Sequence, residues 1–171
     1  TTVPEEIATT TTTTVPEIAM GEIKRIVFSE IRVSGQNADD EFIELYNPLE
    51  EDVNLTGWKI KQKSSDSGSL VSGEYLENKI IPSKGYFLIT NKQEGKYTGD
   101  VLADTTFNSV SYSLVDNQVI ILSDEHNREV DRIGWGIDRV DGECEGSCPS
   151  NLVAGNTFER KAQEGSTSED M

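Results

Sequence analysis

Histidine and cysteine are nearly missing from this chain: one histidine, His126, and two cysteines, Cys144 and Cys148, in 171 residues. That scarcity removes the side chains on which most transition-metal centres and nucleophile–base pairs are built. Serine-hydrolase elbows, Walker loops and H-E-x-x-H runs are also missing. No enzyme is therefore expected within this stretch. No apolar run approaches the roughly 20 residues of a membrane-spanning helix, so membrane insertion is not expected. Residue 1 opens no signal peptide, and any export signal is expected to have been removed or to lie outside this stretch. Positive charge is the third shortage, with 15 Lys and Arg against 31 Asp and Glu, a net −16 and a pI near 4.3. The ends do not explain it: residues 1–20 and 162–171 hold three acids each and no base, which leaves 25 acids against 15 bases, net −10, for residues 21–161. Such a field repels polyphosphates and anionic lipid, excludes nucleic acid as an expected partner, and favours cations, basic partners and solubility.

What the chain does contain falls into three parts. Residues 1–22 are Thr/Pro-rich and nearly repeat themselves, "TTVPEEIA" against "TTVPEIA"; such a tract buries no core and reads as a disordered linker or stalk. Residues 162–171 read as a flexible tail. Between them, residues 23–161 carry short β-rich runs: "RIVFSEIRV", "EFIELYN", "GWKIKQK", "GYFLITN", "QVIILSD", "EVDRIGW" and "TFERK". Segments rich in Gly, Pro, Asn, Asp and Ser separate them. Helical periodicity is lacking, so the expectation is one all-β domain, a sandwich or barrel. The clearest hairpin is "ILSDEHNREVDRIGW", whose turn at 124–127 places His126 at a loop tip. Cys144 and Cys148, in "CEGSC", have the spacing of a small disulfide loop formed in an oxidising compartment. Zinc is the weaker reading, because His126 is far away and too few other ligands exist.

Six pieces in order, "SEI", "DEFIELYNP", "VNLTGWKI", "IIPSKGYFLI", "SLVDNQVIIL" and "VDRIGW", with "FERK" after them, resemble the lamin tail domain family. The resemblance implies an immunoglobulin-like β-sandwich with no catalytic residues to transfer. The shared positions also have local reasons. Gly57 permits a tight turn before Trp58, a core anchor. Pro82 and Gly85 set the turn that delivers "YFLI", and Asn47 before Pro48 ends a strand. Asn54-Leu55-Thr56 satisfies the N-glycosylation sequon, but it sits inside this framework motif and is attributed to chance. The chain departs from the family in "VDNQVIIL", where a Gly is common. Asp116 or Asn117 is expected to take left-handed backbone there. Coiled coil and basic localisation runs of the nuclear lamins are absent, and the chain resembles a bacterial exported version, placed outside the cell or on its surface.

The candidate residues are few. Glu44 lies between Phe42 and Tyr46 on one strand face and is expected to be a structural strut paired with Arg160, or failing that with Arg32. A general-acid role for it lacks a second carboxylate. "NADDE" and "DEHN" put Asn37, Asp39, Asp40, Asp124 and Asn127 in short loops, the oxygen-rich composition of a weak extracellular Ca²⁺ site, though neither matches an EF-hand and solvated turn acids explain them as well. No other cofactor is expected. Contacts are expected in loops 36–40 and 66–69 and in the insertion 136–153. The chain is thus expected to be a monomeric, non-catalytic binding, adhesion or structural module of a secreted or surface multidomain protein, with a protein or glycan ligand. The alternatives are an accessory domain of an exported nuclease or hydrolase, and a calcium module.

Overall fold

The structure is a computed structural model and describes residues 25–63, 68–91, 96–107, 113–136, 149 and 155–160. In chain order its elements are β1 (Val27–Arg32), β2 (Phe42–Tyr46), β3 (Val53–Asn54), β4 (Lys59–Gln62), β5 (Ser69–Val71), the single-turn helix α1 (Gly73–Leu76) and β6 (Ile80–Ile81). There follow β7 (Tyr86–Asn91), β8 (Thr105–Phe107), β9 (Gln118–Ser123), β10 (Glu129–Trp135) and β11 (Phe158–Glu159). One sheet has five strands in the order β11-β1-β2-β7-β8, the other four in the order β10-β9-β4-β5, and β3 and β6 form a separate ladder. Every pairing is antiparallel except β7 with β8. This is the expected immunoglobulin-like β-sandwich.

Period-two alternation decides which side chains enter the core. Ile31 of β1, Ile43 and Leu45 of β2, and Phe87 and Ile89 of β7 point inward from the larger sheet; Ile60 of β4 and Ile120 and Leu122 of β9 meet them from the smaller. Trp58 and Trp135 are the largest side chains in that core. Each such burial stabilises by about 1.5–3 kcal/mol. Gly57 has φ of 82°, and the backbone N–H of Trp58 donates to the Leu55 carbonyl at 3.0 Å, so the turn before Trp58 is as tight as expected. The 82–85 turn closes through Gly85 N–H on the Pro82 carbonyl at 2.9 Å. Asn47 is fully buried; its amide donates to the carbonyls of Glu51, Ile81 and Pro82 and its oxygen takes the Leu49 N–H.

Every β-rich run contains a strand, whereas β3, β5, β6, β8 and α1 were not expected. They span two to four residues each, too short to hold a periodicity, and a long-range neighbour defines them. The turn before β9 differs from expectation. Among the described residues, the non-glycine positive φ values belong to Asn78, Lys84 and Asn127, not to Asp116 or Asn117. The Gln118 side chain accepts the Val115 N–H at 3.1 Å and supplies the closure instead. Asn127, at 62°, confirms the β9–β10 hairpin.

Candidate functional site

The outer face of the five-stranded sheet carries an arrangement that the order of the chain conceals. A bulge in β1 between Phe28 and Glu30 lets Ser29 and Glu30 both stand opposite Glu44 of β2. Glu30 is also paired with Glu159 of β11. Glu159, Glu30 and Glu44 therefore form a row across three adjacent strands, on one face because cross-strand partners share a face. The Ser29 hydroxyl donates to Glu44 Oε1 at 2.6 Å, and no cation pairs with the row among the described residues. Burial raises the pKa of Glu44, the Ser29 bond offsets part of that rise, and the charges of Glu30 and Glu159 push it further up. One step along, Tyr46 and Tyr86 lie opposite each other, ring centroids 4.9 Å apart and tilted by 37°, and Tyr86 is 57% exposed. Val27 faces Tyr46 from β1. The face thus joins an open aromatic pair to carboxylates that no cation meets among the described residues.

The expected Glu44–Arg160 pair does not form. Phe158 is opposite Ile31 and Glu159 opposite Glu30, so Arg160 continues the inward side of β11 while Glu44 points outward. The aromatic flanks of Glu44 lie on the outer face, and Ile43 and Leu45 are the core side of β2. Arg160 instead meets Asp131 of β10 at 2.6 Å, with side chains only 7% and 5% exposed. The same carboxylate accepts the Phe28 N–H at 2.7 Å, and Arg160 also donates to the Arg132 carbonyl at 3.1 Å. This cluster sews β1 and β11 to β10 along one edge of the sandwich. Arg32, the second choice of partner, lies over the Phe42 ring at 5.5 Å and pairs with Asp40 at 3.1 Å.

The loop acids are tied to the protein's own donors. Asp40 is fully buried and accepts the hydroxyl and N–H of Thr98 and the Gln36 N–H as well as Arg32. Burial pushes its pKa up, but these bonds and the guanidinium outweigh that and hold it below the usual value. Asp39 pairs with Lys96, Asn37 Oδ1 takes the Asp39 N–H, and the Asn37 amide donates to the Lys96 carbonyl. Loop 36–40 is thereby clamped to residues 96–98. Asp124 receives Arg128 at 2.6 Å and the backbone N–H groups of His126 and Arg128; burial raises its pKa, and those bonds more than offset the rise. Asn127 contributes its left-handed backbone to the turn. A cation at either loop would have to displace Arg32 and Lys96, or Arg128. Among the described residues no three His, Cys, Asp or Glu side chains are grouped to hold a metal.

His126 stands exposed at the hairpin tip, 3.7 Å from Glu125. Trp58 is a core residue as expected. Cys144, Cys148, residues 1–22 and 162–171, and most of the insertion at 136–153 lie outside the described residues. Sequence reasoning missed Glu41, 1% exposed, whose carboxylate takes the Leu114 N–H at 2.9 Å and the Asn91 amide at 3.3 Å. Burial drives its pKa to about 7 despite those two bonds, and the Asp39 charge adds to the rise. Glu41 opens the run "EFIELYN", where an acid ordinarily faces water; the groups that meet its carboxylate, the Leu114 N–H and the Asn91 amide, come from segments distant in the chain. Asp131 was missed too, because the one extra residue of the β10 bulge, between Glu129 and Asp131, hid its inward position.

Two comparisons bear on identity. The family model of the lamin tail domain matches residues 21–136. No curated protein matches the chain. The matched region ends one residue after β10, and β11, which lies beyond it, completes the edge of the larger sheet.

Proposed function

The chain belongs to the lamin tail domain family, and on that premise we propose that it is a non-catalytic binding or adhesion module of a secreted or cell-surface multidomain protein. Its contact surface is the outer face of the five-stranded sheet, and its partner is a protein that presents a basic, extended segment. The observation that carries this reading is the in-register row Glu159–Glu30–Glu44 beside the open Tyr46–Tyr86 pair. Like charges on neighbouring strands destabilise a sheet, and a lysine or arginine laid across them relieves that repulsion while its alkyl stem packs on the tyrosine rings. The net charge of −16 favours the same class of partner and disfavours nucleic acid. The clamped loops 36–40 and 96–98 brace the end of the face at Phe42, against which the Tyr97 ring packs, and this limits the ordering cost of binding.

The test uses a labelled alternating Lys-Val octapeptide as the probe, titrated by fluorescence anisotropy at low salt. Glu30→Gln with Glu44→Gln is expected to weaken binding by about tenfold, and Glu74→Gln with Glu77→Gln, exposed acids elsewhere, by much less. Equal weakening by both pairs would mean general attraction to an acidic protein and no defined face.

A further inference from the structure

The Asn54-Leu55-Thr56 sequon, attributable to chance in the sequence alone, takes on different meaning in the fold. Asn54 ends β3 and its side chain is exposed. Its Oδ1 accepts the Thr56 N–H at 2.9 Å, closing a local turn, while its Nδ2 donates to nothing among the described residues. Thr56 Oγ1 accepts the Asn78 N–H at 3.0 Å, which holds the hydroxyl beside that turn. The nucleophilic atom of the sequon is thus free and outward, and the polar atoms around it are positioned. A second observation concerns the neighbour. Asn54 is directly opposite Ile80 of β6, and Ile80 is 55% exposed. Directly opposed residues have Cβ atoms about 5 Å apart, so a group attached to Asn54 Nδ2 extends beside an uncovered isoleucine.

We propose that Asn54 is an N-glycosylation acceptor and that the first sugar lies with its apolar face over Ile80. The donor class is a lipid pyrophosphate-linked oligosaccharide. Asn54 Nδ2 forms a bond to the anomeric carbon, the bond from that carbon to the pyrophosphate oxygen breaks, and the lipid pyrophosphate leaves with the electron pair. The displaced amide proton passes to a carboxylate of the transferase. The product remains an amide, so Oδ1 still accepts the Thr56 N–H and the turn is unchanged. Asn54 is in the one Asn-x-Ser/Thr triplet of the chain, so modification is confined to one place, on the separate β3–β6 ladder and away from the carboxylate row.

The inference rests on the exported reading, because such donors are used on the far side of a membrane. Purified full chain is incubated with an oligosaccharyltransferase and its lipid-linked donor, and the product is read by intact mass and peptide mapping. One glycan per chain at Asn54 is expected, retained in Thr56→Ser and lost in Asn54→Gln and Thr56→Val. Enzymatic removal of the glycan is expected to lower the melting temperature of the wild type and to leave that of Ile80→Ser unchanged. An unmodified chain beside a fully modified control acceptor overturns the acceptor site, and a glycan whose removal affects both proteins equally overturns its placement over Ile80. Finding the native chain only in the cytosol of its own cells overturns the exported reading, whatever the transfer assay gives.

Discussion

Asp131 and Glu44 are both strand carboxylates near β1, and they have opposite fates. Asp131 is at the inner rim of the sandwich, where Arg160 and the Phe28 N–H neutralise and satisfy it. Glu44 is on the outer face, where its neighbours across β1 and β11 are two more acids and its hydrogen-bond donor among the described residues is Ser29. A buried charge tolerates no mismatch, because leaving it unpaired costs several kcal/mol, whereas a half-exposed one survives among like charges with water's help. Matched charge at the rim ties the two sheets together, and mismatched charge on the open face is the feature on which the proposed binding role rests.

The largest expected effect breaks the matched side. Arg160→Met strands a buried Asp131 and is expected to cost about 3–5 kcal/mol by urea unfolding; adding Asp131→Asn restores part of it. A loss below about 1 kcal/mol would place the pair among surface ion pairs and dissolve the contrast.

Glu41 sharpens the comparison, being buried like Asp131 but without a cation beside it among the described residues. Its folded carboxyl holds the proton up to about 7, against an ordinary value of 4.5. The folded state therefore binds more protons between those values, and stability falls as pH rises through that window, by roughly 3 kcal/mol for this group. Denaturation midpoints from pH 5 to 8 are expected to drop in the wild type and to flatten in Glu41→Gln. A slope unchanged by the substitution would assign the pH dependence elsewhere.

Smaller effects belong to the open face. Glu44→Gln keeps an acceptor for Ser29 and removes repulsion, so stability at pH 7 is expected to hold or rise by up to about 1 kcal/mol while octapeptide binding weakens. A loss above about 2 kcal/mol would make Glu44 the strut that the sequence suggests. Tyr86→Ser, at a 57% exposed position, is expected to change stability by only about 0.5 kcal/mol and to weaken the same peptide. Unchanged binding would remove the tyrosine pair from the site.

Much of this architecture is legible in the chain. Phe42, Ile43, Leu45 and Phe87, Ile89 announce strands by alternation, and Gly57, Gly85 and Asn127 announce turns, because backbone sterics act on local residues alone. The site is far less legible. The segment "FIELY" alternates on both sides between bulky residues, so either face looks fit for the core, and the expected Glu44–Arg160 pair requires the two side chains to share a face that the fold does not give them.

By itself, then, the amino-acid order determined an acidic, all-β module with the strands of its seven β-rich runs and the turns at Gly57, Gly85 and Asn127, since these follow from composition and nearest neighbours. Only the tertiary structure decided which face of β2 meets the core, that a bulge aligns Glu30 with Glu44, that Arg160 belongs to Asp131, and that the Leu114 N–H and the Asn91 amide meet a buried Glu41. Those are long-range pairings. They depend on register between strands distant in sequence, where one bulged residue changes which side chains face each other.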